Sequence, residues 1–293
     1  MARSYLLGLA LATIVSGPLH AQKKIERRLP LGMEAAFRIV NMVGSVTVHG
    51  WDKDTVLVRA AVPELDRLFM GGTYTGAKLF IDNADERNPK STRVEVWLPA
   101  RARLWIKTAT ATIDVAGVDG QLDLYVVSGT IDVNGNPREL NAEAIDGDIH
   151  VVGSPAWLRA KSASGAITLR GSSSDAAFST VSGAVRVDGG NFERTKVETV
   201  TGDITFTGML DRSGTFDFDT HSGSVDIAIP EKVSADVSVV TISGNITNNL
   251  SKARPASGKF GHGTELNVEI GNGGAKVSVR TFKGPVTLRR PAT

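Results

Sequence analysis

Four histidines follow residue 21, and their spacing decides what chemistry they could share. His49, His150, His221 and His262 are scattered, and no two have the spacing with which a helix sets two imidazoles on one metal ion. His150 falls in an outward polar column and His221 at a corner, so a solvated or corner role is expected of both. Acidic residues invite a calcium site: Asp146 and Asp148 flank Gly147, and Asp226 lies one face over from Asp217 and Asp219. The glycine-rich calcium coil is built on a nine-residue G-G-x-G-x-D repeat, which this chain lacks. A polysaccharide-cleaving site would need clustered acids, or a basic group, beside aromatic platforms in a groove. Trp51, Trp97, Trp105 and Trp157 are apart in sequence and none sits in an obvious acid cluster, so they are expected to cap or pack the fold. No H-E-x-x-H, G-x-S-x-G or P-loop occurs. The sequence therefore puts forward no catalytic, cofactor-binding or metal-ligating residue.

One hydroxyl column remains. Ser128, Ser164, Ser182, Thr201, Ser222 and Ser243 each precede a glycine and are expected to lie above one another. Two roles compete for them. One is a ladder that satisfies backbone groups at a bend; the other is a polar stripe that grips a sugar chain. The first is favoured, because small polar residues are the ordinary chemistry of turns.

The elements that position these residues repeat. The unit reads small-polar, Gly, any, Ile/Val, any, apolar, as in Ser128-Gly129-Thr130-Ile131-Asp132-Val133. Gly129, Gly147, Gly165 and Gly183 are 18 residues apart, and the gaps to Gly202, Gly223 and Gly244 are 19, 21 and 21. A fixed period near 20 signals stacked coils in place of one globular core. After the glycine, Ile131, Ile149, Ile167 and Val185 alternate with Asp132, His150, Thr168 and Arg186, the period-two pattern of a strand with one buried face. Before it, Leu122/Leu124/Val126 and Leu140/Ala142/Ala144 read inward, while Asp123/Tyr125 and Asn141/Glu143 read outward. The phase slips at the Ser-Gly pair, which places a bend or bulge there, and a glycine at positive φ suits such a corner. Alternating charges such as Glu143 and Lys161 read as pairs between neighbouring coils, of small value.

The expected fold is all-β: a single-domain parallel β-helix, or β-solenoid, with coils of about 18 to 21 residues. Nine or ten coils would make a rod on the order of 50 Å long. Residues 63–93, with Pro63, Gly71, Gly72, Gly76 and a polar run from Asp82 to Arg93, read as an irregular insertion or cap around one short strand, Ala77 to Ile81. Leu266 to Ile270, Lys276 to Arg280 and Val286 to Leu288 read as the final strands, with Arg289-Arg290-Pro291 blunting the end of the stack.

Residues 1–21 read as a cleaved signal peptide: Arg3, the apolar run Tyr5 to Val15, a Gly17-Pro18 break and Leu19-His20-Ala21 before the cut. Residues 22–293 then form the solenoid domain, with no transmembrane span after cleavage. A net charge of +2 gives no reason to expect nucleic acid. With no cysteine in the chain, the fold rests on its own buried ladder.

The V-S-G-x-I-x-V-x-G units, the opening F-R-I-V-N-M-V-G-S-V-T-V-H-G-W-D (Phe37 to Asp52), V-E-V-W-L-P (Val94 to Pro99) and the ending G-A-K-V-S-V-R-T-F-K-G-P-V-T-L (Gly274 to Leu288) resemble a bacterial family of exported β-strand-repeat proteins. That family carries a domain of unknown function and an adhesin label. Ala111 stands where the family has glycine, and Asn248 where it has an apolar residue. The resemblance implies a right-handed parallel β-helix-like fold outside the cytoplasm, and brings no catalytic residues with it. The function expected is that of an exported, non-catalytic solenoid presenting a repetitive surface for binding or adhesion. Its partner would be an envelope or cell-surface protein or glycan, met in the periplasm, on the outer surface or outside the cell. The alternatives are a periplasmic scaffold or sensor and a polysaccharide-active β-helix enzyme.

Overall fold

Alternating apolar and polar residues in short runs, punctuated by glycine, can bury one side only if each run pairs with a neighbour on both edges. The chain does this by winding. A computed structural model describes residues 22–258 and 262–291, so the expected signal peptide lies outside the described residues. Among those residues there are twenty-three strands and no helix. Among the described residues no helix is therefore long and apolar enough to cross a membrane.

Each coil contributes one strand to each of two faces. On the first face, Gln121–Ser128, Glu139–Asp146, Trp157–Ser162 and Ser173–Thr180 pair in parallel and in register, so Leu122, Leu140, Leu158 and Ala176 stack. On the second, Ile131–Asn134, Ile149–Gly153 and Ile167–Gly171 do the same, stacking Ile131, Ile149, Ile167 and Val185. The inward residues of both faces join one apolar cluster running from Leu31 to Leu288. The all-β solenoid expected from the repeat is the architecture observed.

The corner glycines are needed for space more than for φ. Gly165 and Gly183 do not adopt positive φ; a Cβ on either would overlap the carbonyl oxygen of the glycine one coil back, Gly147 or Gly165. Gly44 and Gly129 at the first corner, and Gly153 and Gly189 at the return corner, do sit at positive φ, 122°, 133°, 136° and 78°, where side chains with a Cβ are strained.

The longer coils hold larger side chains. Phe192, Phe206, Phe216 and Phe218 are all buried, with Phe206 5.4 Å from Phe192 and 5.3 Å from Phe218, ring centre to ring centre. The extra residues appear as register shifts at Asp188/Asn191 and Phe192/Arg194, which widen the coil around the rings.

Both ends depart from the parallel pattern. At the start, Gln22–Pro30 runs antiparallel to Thr55–Pro63, which runs antiparallel to Thr92–Pro99. Within 63–93 there are two strands where one was expected: Arg67–Thr73 and Gly76–Asp82 form a hairpin, and the second docks in parallel on Ala36–Trp51. Asp66 pins it, accepting from Asn83 Nδ2 and from the Ala84 amide, both at 2.9 Å.

The far end overturns the expected order. Ala275–Thr281 and Val286–Arg289 do not finish the stack. They lie between the coil of Gly223 and the coil of Gly244, pairing with Ile204–Thr220 and Val225–Ala228 on one side and with Ala235–Thr241 and Ile246–Asn248 on the other. Thr264–Ile270 closes the end, antiparallel to Ala235–Thr241. Along the stack the first corners therefore follow one another as Gly44, Ala111, Gly129, Gly147, Gly165, Gly183, Gly202, Gly223, Gly284 and Gly244. The turn through Gly271 and Gly273, both at φ 65°, steps across the start of Ala235–Thr241 and lets the chain re-enter one rung inward. Arg290, expected to blunt an open end, donates instead to the carbonyls of Ile229 and Pro230 at 3.0 and 2.9 Å.

Candidate functional site

Winding places the singled-out residues by register. His150 lies outward on the second face, half-buried. His221 is at the first corner, its ring stacked on Phe282 at 4.9 Å. His49 stacks on Trp97 at 5.3 Å and lies 3.7 Å from Glu95. His262 is in the exposed turn before Thr264–Ile270. The four are not brought together. Among the described residues no group of three His, Asp or Glu is placed to hold a metal ion. The acids considered for calcium bind the next coil: Asp146 accepts from Ser164 Oγ and Asp148 from the Ala166 amide, each at 2.7 Å. Asp219 takes two hydrogen bonds from Arg280 and Asp226 pairs with Arg289.

The hydroxyl column before the glycine is exposed and reaches one coil back: Ser243 donates to the Phe282 carbonyl at 3.2 Å and Ser222 to that of Val200 at 3.4 Å. The corner itself is closed by a second column, three residues before the glycine. Thr180, Thr220, Thr241 and Thr281 accept the amides of Gly183, Gly223, Gly244 and Gly284 at 2.7–3.1 Å. These threonines are buried, and the recurring T-x-x-G (Thr180 to Gly183, Thr220 to Gly223) was the sequence signal for them.

A different cluster emerges on the outer side of the first face. Register sets Trp105, Asp123, Asn141 and Arg159 in one row across the strands. Arg103, Gln121, Glu139 and Trp157 form the row on one side, and Lys107, Tyr125, Glu143 and Lys161 the row on the other. The four tryptophans, expected to cap or pack, are all absent from the apolar core. Trp51 does close an end turn, donating to the Thr55 carbonyl at 2.8 Å. Trp157, 37% exposed, instead lies flat under the Arg159 guanidinium at 4.3 Å. Trp105 lies 6.1 Å from Tyr125.

The polar groups between these rings are held in place. Asn141 Nδ2 donates to Tyr125 Oη at 3.0 Å. Arg159 Nη1 donates to the Leu158 carbonyl and to Asp175 Oδ1, and Arg194 donates to Asp175 Oδ2. Burial pushes the Asp123 carboxyl above the usual aspartate range; the Asn141 amide opposes this, and Glu139 and Glu143 add to it. Burial likewise raises the Tyr125 phenol, helped by Asp123 and Glu143. A depression of about 680 Å³ spans this area from Gln121 to Glu198. A smaller one of about 220 Å³, between Arg38 and Asp123, shares Gln121 and Asp123 with it. The two adjoin at Gln121 and Asp123 and follow one another across the strands as a trough in two parts, the larger lined beyond Arg159 by Ala177 and Ser179. Another depression, about 550 Å³ at the return corner, is lined by Ser172, Ser174, Asn191, Glu193 and Met209 among others.

No curated protein matches this chain. Among solved structures, a candidate adhesin from Bacteroides fragilis is 12% identical, covering 93% of this chain and 100% of that one, with a TM-score of 0.47. A candidate adhesin from Parabacteroides distasonis is 10% identical, over 92% and 98%, at 0.46. A candidate lipid-binding protein from the same species is 11% identical, over 90% and 96%, at 0.39. The model of the toastrack family, DUF4097, matches residues 87–289, more than half of the chain and nearly every parallel coil: the protein belongs to that family.

Proposed function

We propose that this protein is an exported, non-catalytic binding module that offers the first face of its solenoid to an envelope or cell-surface partner. The observation that carries the reading is the outward placement of Trp105, Tyr125 and Trp157 among hydrogen-bonded polar side chains. Large aromatic side chains are ordinarily drawn into cores or contact surfaces, and this core is filled without them. The side chains around them are already fixed by ion pairs and hydrogen bonds, which lowers the ordering cost of binding. The non-catalytic reading draws on the acids that are paired: Asp175, Asp219 and Asp226 are each engaged with an arginine. Asp123, Glu139 and Glu143 lie beside the aromatic rings, and turnover of a neutral oligosaccharide that Asp123→Asn or Glu139→Gln abolishes would overturn it.

Protease shaving of intact producing cells, followed with an antibody to residues 22–293, tests the reading. Loss of signal is expected and supports adhesion. Protection until the outer membrane is opened would overturn adhesion in favour of a periplasmic scaffold. Recovery of the intact chain, leader included, in the cytosol would overturn export altogether.

A further inference from the structure

We infer that the trough from Trp105 to Trp157 is a binding site for a neutral saccharide chain lying across the strands. This rests on the proposal that the first face is a binding surface, and adds the class of ligand.

A pyranose ring presents two surfaces to a protein. Its C–H faces are apolar and flat, and its rim is a belt of hydroxyls that both donate and accept. A site for it therefore needs aromatic plates beside side chains of both hydrogen-bonding senses. The trough has these. Trp157 offers an indole whose other side is backed by the Arg159 guanidinium, which fixes the ring's tilt. Trp105 stands at the other end, beside Tyr125. Between them Gln121 and Asn141 carry amides, and Asp123 and Glu139 carry carboxylates.

The spacing fits an extended chain. Trp105 and Trp157 belong to strands three rungs apart, by way of Gln121–Ser128 and Glu139–Asp146. At about 4.8 Å per rung that is roughly 14 Å, and a pyranose in an extended chain advances by roughly the same 5 Å as a rung. About three rings would then lie between the plates, each over one strand's polar side chains. Gln121 and Asp123 line both depressions, so such a chain passes from one to the other over these two side chains.

Charge distinguishes the middle of the trough from its ends. Arg38 and Arg103 line one end and Arg194 and Lys196 the other, whereas Asp123, Glu139 and Glu143 line the middle. Glu143 has Lys161 at 3.7 Å and Glu139 has Arg138 at 3.5 Å, whereas Asp123 makes no ion pair among the described residues. A uronate or phosphate chain would set its own charge against that carboxylate. The return-corner depression has no exposed aromatic plate in its lining and lacks the first of these requirements.

Titration of the purified full chain with cellohexaose, chitohexaose and, as an anionic contrast, hexagalacturonate tests the inference. Binding is read by calorimetry and tryptophan fluorescence. At least one neutral hexasaccharide should bind, and Trp105→Ala and Trp157→Ala should each weaken it by about tenfold or more. Trp157→Phe should recover part of the loss, and Trp51→Ala should change nothing. Circular dichroism keeps misfolding distinct from a lost plate. Failure of both neutral probes to bind up to about 10 mM, preference for the galacturonate, or undiminished affinity in the Trp105→Ala/Trp157→Ala double variant would overturn it. Cell-surface exposure without saccharide binding would sink this ligand and leave the binding-module reading standing.

Discussion

At the residue scale, the same substitution should have opposite effects at two buried threonines. Thr220 accepts the Gly223 amide at 3.1 Å, and its hydroxyl lies 2.8 Å from that of Thr199, which donates to the Gly202 carbonyl at 2.7 Å. Thr220→Val strands the Gly223 amide inside the corner, while Thr199 keeps the Gly202 carbonyl, and a buried polar group left without its partner costs about 1–3 kcal/mol. Thr195 stands in the inward column between Ala176 and Phe216, and its hydroxyl is buried without a partner. Thr195→Val removes that orphan at constant shape, and should raise stability by about 1 kcal/mol. Urea midpoints moving in the same direction for both would contradict this hydrogen-bond assignment. Asp123 gives a pH-dependent case. Burial raises its pKa in the folded chain, so the folded state holds its proton more tightly than the unfolded one. The associated stability is complete below the unfolded value, and is lost as pH rises through the folded one. Asp123→Asn should therefore raise the melting temperature near about pH 7 and make little difference near about pH 3. A gain that grows on acidification would refute the direction of the shift.

At the element scale, re-entry of the last coil makes an internal rung depend on the end of the chain. Among the described residues, Ala235–Thr241 pairs with the body of the stack through Ala275–Thr281 alone. Truncation after Asn272 should therefore release everything from about Ile229 onward to protease while sparing the coils up to Gly223. If residues 235–248 stay protected, they have docked directly on Ile204–Ala228 and the intervening coil is dispensable. The middle of the solenoid was legible because period-two alternation of β-branched residues around a spaced glycine admits few other structures. The order of the last coils was not, since Gly284 and Gly244 carry equivalent corner motifs and nothing local says which stacks first. Arg67–Thr73 was missed for a different reason: Gly71 and Gly72 read as turn residues, and only pairing with Gly76–Asp82 makes the segment a strand. The trough was legible in principle. Stepping by 18 from Trp105 gives Asp123, Asn141 and Arg159, but Trp157 joins them only once both outward rows are laid on one face.

At the scale of the whole molecule, stability is close to a sum of contacts between neighbouring coils, and the ends are where such a stack is exposed. Among the described residues antiparallel strands cover three of the four end edges: Gln22–Pro30, rich in Lys and Arg, and Arg67–Thr73 at one end and Thr264–Ile270 at the other, where Ile246–Asn248 is paired on its inner side alone. Charged edge residues discourage pairing with another chain. No comparable protection exists inside. Ile149 is fully buried between Ile131 and Ile167, so Ile149→Asp sets an unpaired carboxylate in the apolar seam, at a cost of several kcal/mol. That approaches the whole margin of about 5–15 kcal/mol that holds most folds together. The damage is also spatial. Breaking the middle rung leaves two half-stacks, each with one capped end and one raw edge of unpaired backbone groups, so the expected product is aggregated or protease-sensitive protein. Arg186, on the outward side of the same face, has no ion pair or side-chain hydrogen bond among the described residues, and Arg186→Ala should stay within about 0.5 kcal/mol of the parent. Soluble yield and chymotrypsin resistance of the two variants, measured side by side, decide the point. A soluble, resistant Ile149→Asp protein would mean that the coils do not share one continuous dry interior.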